Sequence, residues 1–198
     1  MKNPTLLKEM LHYRGRDEMP GDFDTFWNKQ VAEVEVPQDY QLLEKDFQIA
    51  YATCYELTFK SGSGGQIYAK LVVPKLSEKV PVLFHFHGYM GQGWDWADML
   101  AYTAAGWGVV SMDVRGQSGY SLDGNREVRG NTVKGHIIRG ALDGPDQLFF
   151  KDVYLDVYTL VELVAGLDFV DENCLSSFGG SQGGALALSL IHISEPTR

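Results

Sequence analysis

The chain has 198 residues, 44% of them hydrophobic, enough for one domain with a substantial core. A formal net charge of −9 argues against a nucleic-acid surface, which needs clustered Lys and Arg, and no apolar run approaches membrane-spanning length. Met1 to Pro20 is charged throughout and lacks the apolar run of a signal peptide, and Cys54 and Cys174 form neither a CxxC nor a metal-ligand spacing.

These features predict a soluble, cytoplasmic protein, with two reduced core cysteines favoured over a single disulfide. Along the chain, Asp22 is placed to cap a helix whose apolar residues Phe23, Phe26, Trp27, Val31 and Val34 recur at helical spacing, ended by Pro37. Phe47 to Phe59 and Gln66 to Val73 read as strands joined by the turn Ser61-Gly62-Ser63-Gly64-Gly65. Val80 to Phe86 is a continuous apolar strand of the kind buried on both faces of a parallel sheet.

The loop His87-Gly88-Tyr89-Met90-Gly91-Gln92-Gly93 follows, then a helix from about Trp94 to Ala105 that Gly106 caps. His85 and His87 stand at i, i+2 at the strand end. A metal site would need a third ligand, and none is suggested, so both read as packed, hydrogen-bonded histidines. Val109 to Val114 is the next buried strand, followed by Arg115-Gly116-Gln117-Ser118-Gly119. Tyr120 to Phe150 is long, polar and punctuated by Gly124, Gly130, Gly135, Gly140 and Gly144, a length that points to function or an interface. Val153, Val157, Leu160, Val161 and Val164 mark a helix stopped at Gly166. Strands alternating with helices predict an α/β domain with a mostly parallel sheet.

The chemistry centres on Phe178-Gly179-Gly180-Ser181-Gln182-Gly183-Gly184. Gly179, Ser181 and Gly183 fill a Gly-x-Ser-x-Gly nucleophile elbow, with Cys174 to Phe178 as the strand entering it and Ala185-Leu186-Ala187 starting the helix beyond. Such a turn exposes the serine hydroxyl and aims the next N–H, that of Gln182, where an oxyanion would form.

Together these segments resemble the acetyl xylan esterase / cephalosporin C deacetylase family, carbohydrate esterase family seven. The likeness runs through Phe23-Asp24-Thr25-Phe26-Trp27, His87-Gly88-Tyr89, Trp94-Asp95-Trp96, Asp113-Val114-Arg115-Gly116-Gln117, Gly135-His136-Ile137-Ile138-Arg139-Gly140 and Gly180-Ser181-Gln182-Gly183-Gly184. It implies an α/β-hydrolase fold and deacetylation of xylo-oligosaccharides and small acetyl esters such as cephalosporins, through an acetyl-serine. Ser181 would be the nucleophile, and the N–H groups of Gln182 and Tyr89 would hold the oxyanion. Tyr89 is also compatible with an aromatic lid packed on its loop. Arg115 and Gln117 read as supports for the site, with an ordinary buried ion pair, Arg115 to Asp113, as the simpler role. By the resemblance His136 lies in an insertion used for subunit contacts and for narrowing access, which makes it structural. A homo-oligomer, a hexameric ring, is implied by resemblance only, and the serine chemistry calls for no cofactor and no metal.

The triad of this fold runs Ser, then Asp or Glu, then His. After Ser181 come only Glu195 and His192, in the wrong order, and continued helix would put His192 about 16 Å along the axis from the serine. Leu188 to Arg198 also resembles one reading frame of a transposon-end sequencing adapter, so residues 1–187 read as the N-terminal portion of one hydrolase domain, with a helical arm over about 1–36, and 188–198 as a non-native tail. Two expectations follow: negligible triad-dependent activity in this chain, and low stability, because the sheet would end at the nucleophile strand. The residues leave open another serine hydrolase, dienelactone hydrolase-like or peptidase-like, and a non-catalytic protein of this fold that binds sugars or partners.

Overall fold

The structure, a computed structural model, describes residues 4–13, 15–124 and 136–193. Gly130 and Gly135 of the long loop, and Ser194 to Arg198, lie outside the described residues. Two short helices, α1 (Pro4–His12) and α2 (Phe23–Ala32), lead into the strands β1 (Gln41–Lys45), β2 (Ala52–Lys60), β3 (Gln66–Pro74) and β4 (Val80–Phe86). Then follow α3 (Trp96–Thr103), β5 (Gly108–Met112), single 3-10 turns at His136–Ile138 and Pro145–Gln147, α4 (Phe149–Ala165), β6 (Val170–Gly179) and α5 (Gln182–Ile193).

The six strands form one open sheet in the order β1-β2-β3-β5-β4-β6. It is mixed rather than mostly parallel: β1/β2, β2/β3 and β3/β5 pair antiparallel, and β4 pairs parallel with β5 and β6. The reason is local. The five-residue Ser61–Gly65 turn closes a hairpin, with Ser61 N–H donating to the Gly65 carbonyl at 2.8 Å, whereas a parallel neighbour needs a crossover such as α3 between β4 and β5.

Both faces of the sheet are covered, unequally. Phe149, Val153, Val157, Leu160 and Val164 of α4, with Leu186 and Leu190 of α5, pack on Leu57, Phe59, Ile67, Leu71, Phe84, Phe86, Val110 and Met112. On the other side Met99 of α3 joins Ala52, Cys54, Val72 and Val109 in a smaller core edged by Trp94 and Trp96. The first face carries most of the hydrophobic stabilisation, since burial scales with apolar area. β6 stands at the edge of the sheet with Cys174 and Ser176 exposed. Cys174 is therefore a surface residue and only Cys54 is a core one.

Several boundaries differ from the sequence reading. β2 begins at Ala52, after a turn in which Gln48 takes φ +52°, so the segment from Phe47 is not continuous strand. β1 carries no alternation to read, because as an outer strand it is largely exposed. α2 stops at Ala32, ahead of Val34 and Pro37, and Asp22 makes no side-chain cap bond. Among the described residues no helix is long and apolar enough to cross a membrane.

Candidate active site

β6 runs into α5 through Gly180 and Ser181, and Ser181 is exposed with φ +56°, a left-handed backbone that a non-glycine residue adopts only under constraint. The constraint comes from the flanking glycines. A Cβ on Gly183 would overlap the Phe86 carbonyl oxygen, and one on Gly179 would overlap the Gly183 backbone and stand 2.6 Å from the same oxygen. Small residues at both places let the elbow press against the C-terminal end of β4. The turn closes with Gly183 N–H donating to the Gly180 carbonyl at 2.9 Å, and Ala185 N–H donates to the Ser181 carbonyl at 3.2 Å as α5 begins.

The loop after β4 is brought onto this turn. A Cβ at Gly88 would lie 3.6 Å from the Gly180 carbonyl oxygen and 3.8 Å from Ser181 Cβ, so Tyr89, half-buried in the next turn, neighbours the nucleophile. Gln117 holds the two segments together. Its Nε2 donates to Gln182 Oε1 at 2.6 Å, Gln182 Nε2 donates back to Gln117 Oε1 at 3.1 Å, and the same oxygen accepts the Met90 N–H at 3.0 Å. Gln117 is fully buried, and Gln182 is 7% exposed. The side chain of Gln182 is thus occupied by this amide pair, which leaves its backbone N–H as the group it can offer a substrate. Ser118 Oγ adds a bond to the Met90 carbonyl at 3.0 Å.

Arg115 is placed elsewhere. Its Nε donates to Asp156 Oδ2 at 2.6 Å, Nη2 reaches Asp156 Oδ1 and also donates to Ser61 Oγ at 2.9 Å, and Asp152 lies 3.7 Å from Nη1. A Cβ on Gly65 would fall 2.8 Å from the guanidinium, so that glycine makes room for it. The expected pairing with Asp113 is not formed. Asp113 instead accepts the N–H groups of Gly93 (2.6 Å) and Tyr120 (2.8 Å), which ties the loop after β4 to the loop after β5. Burial acts to lower the Arg115 pKa, but the Asp156 carboxylate, then Asp152 and Asp123, raise it, and the guanidinium stays charged. Arg115 therefore clamps α4 to the β2–β3 turn and supports the site only through the turn it shares with Gln117.

His85, His87 and His136 are engaged away from Ser181. His87 Nδ1–H donates to the Gly88 carbonyl at 2.7 Å while Nε2 accepts the Val114 N–H at 2.9 Å, a pair of roles only the neutral ring can fill. Burial pushes its pKa down, opposed by the Gly88 bond and Asp113. His85 stacks on Trp94 with ring centres 4.0 Å apart, and its Nδ1 is hydrogen-bonded to Ser111 Oγ at 2.9 Å; burial, then His87, pushes it down to about 4. His136 lies 3.6 Å from Asp123 Oδ2, an oxygen that also accepts from Arg139 Nη1, and packs edge-on against Phe149. His192 is in α5, whose helix continues through Ile193 without a break at Leu188. Among the described residues, no group of three His, Cys, Asp or Glu is placed to hold a metal ion.

The structure thus gathers Ser181, Gln182, Gln117 and the Tyr89 turn, and sets Arg115 and His136 apart from the elbow. Sequence reasoning missed Asp156 and Ser111, and gave Asp113 and Ser61 other roles, Asp113 as a partner of Arg115 and Ser61 as a turn residue. Asp156 had a signal, since it sits on the helix arc of Val153, Val157 and Leu160, where an acidic residue must find a cation. Ser111 had none, because its partners His85 and Trp94 are distant in the chain.

The family model described as Acetyl xylan esterase (AXE1) matches residues 1–197. The chain is similar to the acetyl esterase Axe7A of Xylanibacter ruminicola, with 28% identity over 176 residues, covering 85% of this chain and 40% of that protein. Among solved structures it is similar to acetyl xylan esterase 1 from Thermoanaerobacterium sp. JW/SL YS485, at 43% identity and a TM-score of 0.84 over 92% of this chain and 58% of the other. The acetyl xylan esterase from Paenibacillus sp. R4 matches at 28% identity and a TM-score of 0.79, over 92% and 59%. The chain thus spans less than two thirds of the length of these relatives.

Proposed function

This chain belongs to the acetyl xylan esterase family, and from that premise we propose that it is part of a serine esterase that removes acetyl groups from xylo-oligosaccharides and from small acetyl esters such as cephalosporin C. The observation that carries the reading is the left-handed, exposed Ser181 on a strand-to-helix turn, with the Gly88–Tyr89 turn packed beside it. Ser181 Oγ attacks the acetyl carbonyl carbon, and the carbonyl oxygen takes the negative charge opposite the N–H groups of Gln182 and Tyr89. Collapse expels the alcohol, which takes the serine proton through a histidine base; water then releases acetate and restores the hydroxyl. Gln117 keeps both donor segments in register, and Arg115 keeps the turn that carries Gln117 in place.

His85, His87 and His136 do not supply the base, since each is engaged with a partner away from Ser181. We therefore assign the base and its acid to sequence beyond this chain, and assign Leu188 to Arg198 to a non-native tail. The intact protein is a homo-oligomer in this reading, a hexameric ring. Reading the source gene past the codon for Ala187 tests the tail: an open frame with a downstream aspartate and histidine supports it, and a stop after Arg198 overturns it. Acetate release and fluorophosphonate labelling by the intact protein, both abolished in Ser181→Ala, test the chemistry. Release that survives this substitution would refute the esterase mechanism, and failure to label the wild type would favour a non-catalytic binding protein.

A further inference from the structure

Among the described residues, the non-glycine positions with positive φ are Gln48, Met90 and Ser181. Ser181 owes its conformation to the elbow. Met90, at φ +66°, stands in the turn packed beside that elbow, two residues beyond Gly88. Its backbone is held from both sides, with the N–H bonded to Gln117 Oε1 and the carbonyl bonded to Ser118 Oγ, each at 3.0 Å. Glycine would take this backbone without strain and make the same two bonds. What glycine would lack is the side chain, and that side chain is 56% exposed and therefore adds little to the core. A long apolar side chain kept in a strained conformation at the rim of a reactive serine points to contact with a ligand. A thioether is suited to the work, being flexible and polarisable enough to lie against the apolar face of a ring.

We infer that Met90 is a specificity-determining residue for the alcohol half of the ester, forming an apolar wall against a ring-shaped leaving group while the acetyl group sits at Ser181. This rests on the esterase reading above. A small leaving group such as ethanol leaves the wall unfilled, so Met90 contributes to binding only when the alcohol carries a ring.

The test uses the intact protein with Met90→Gly and Met90→Asn, both tolerant of left-handed backbone, and Met90→Leu, which keeps apolar bulk. KM and kcat are measured for acetylated xylobiose and for ethyl acetate. Loss of a half-exposed apolar contact predicts that the Gly and Asn variants raise KM for acetylated xylobiose about 5- to 10-fold and leave KM for ethyl acetate within about 2-fold. The Leu variant keeps the wild-type ratio of the two KM values, and the Gly variant unfolds at a higher temperature than wild type because the strain is gone. A stability gain with an unmoved KM ratio, or KM values that rise together for both esters, would overturn the assignment and leave the esterase reading intact. Wild-type protein with no Ser181-dependent hydrolysis of either ester would remove that reading, and the role of Met90 with it.

Discussion

The amide pair between Gln117 and Gln182 predicts a specific form of non-additivity. Replacing Gln117 with Leu leaves the buried Gln182 amide without its bonds of 2.6 and 3.1 Å and strips the Met90 N–H of its acceptor. At about 1–3 kcal/mol for each unsatisfied buried group, that change costs about 3–4 kcal/mol. Replacing Gln182 with Leu leaves Gln117 Nε2 without its acceptor, while Oε1 keeps the Met90 N–H, and removes a long 3.4 Å bond to the His87 carbonyl, for about 2–3 kcal/mol. In the double variant neither amide remains to be stranded, and mainly the Met90 N–H is left unpaired. Its cost should therefore be close to that of one single variant, a coupling of about 2–3 kcal/mol. Urea unfolding of the wild type, both single variants and the double variant, followed by far-ultraviolet circular dichroism, measures the cycle. Costs that add to within about 0.5 kcal/mol would show that the two side chains do not act as a pair, and the account of how Gln117 holds the elbow would be wrong.

Other outcomes follow from the same geometry. Arg115→Lys should destabilise nearly as much as Arg115→Met, about 3–5 kcal/mol, because an ammonium cannot reproduce the two-pronged contact with the buried Asp156. Combining Arg115→Met with Asp156→Leu should recover much of the loss, and thermal melts that show no recovery would contradict a buried pair. Ser181→Gly should raise stability by about 1 kcal/mol, since it relieves φ +56° while removing the hydroxyl; a fall in melting temperature would mean that the turn is not strained. The neutral His85 sets a pH dependence. Its folded pKa, about 4, lies below the ordinary 6.5, so between these values the unfolded chain binds a proton that the folded chain does not. Stability from this group is complete above pH 6.5 and is lost as pH falls toward 4, by about 3 kcal/mol in all. The fall measured for wild type should be shallower in His85→Asn, and identical slopes would exclude His85 as the cause.

Much of the scaffold was legible from local patterns. Val80 to Phe86 is strand residue for residue, because a run of large apolar side chains that short is stable only between two covering layers. The Ser61–Gly65 turn and the left-handed Gly106 after α3 follow from what glycine alone permits. α4 follows from apolar residues recurring at a period of 3.6. By contrast, β1 carried no readable pattern, and α1 was legible only as part of the helical arm expected over about 1–36, without bounds of its own. β1 is an exposed outer strand, and on α1 Leu6, Leu7, Met10 and Leu11 are all exposed, so no buried apolar face marks where that helix starts and stops.

Sequence by itself pointed to Ser181 on an elbow, because the Gly-x-Ser-x-Gly spacing puts small residues on both sides of the serine; that nothing larger fits against the end of β4 was decided by the tertiary structure. Sequence determined too that Arg115 and Gln117 needed partners, since a polar side chain inside a core cannot go unbonded. Which partners they took was decided by the tertiary structure alone. Asp156 is 41 residues from Arg115 and Gln182 is 65 residues from Gln117, and Asp113, the near neighbour in sequence, was already committed to the N–H groups of Gly93 and Tyr120. A buried charge or amide states its need locally, but the group that satisfies it is whichever one the packing of distant elements delivers within about 3 Å.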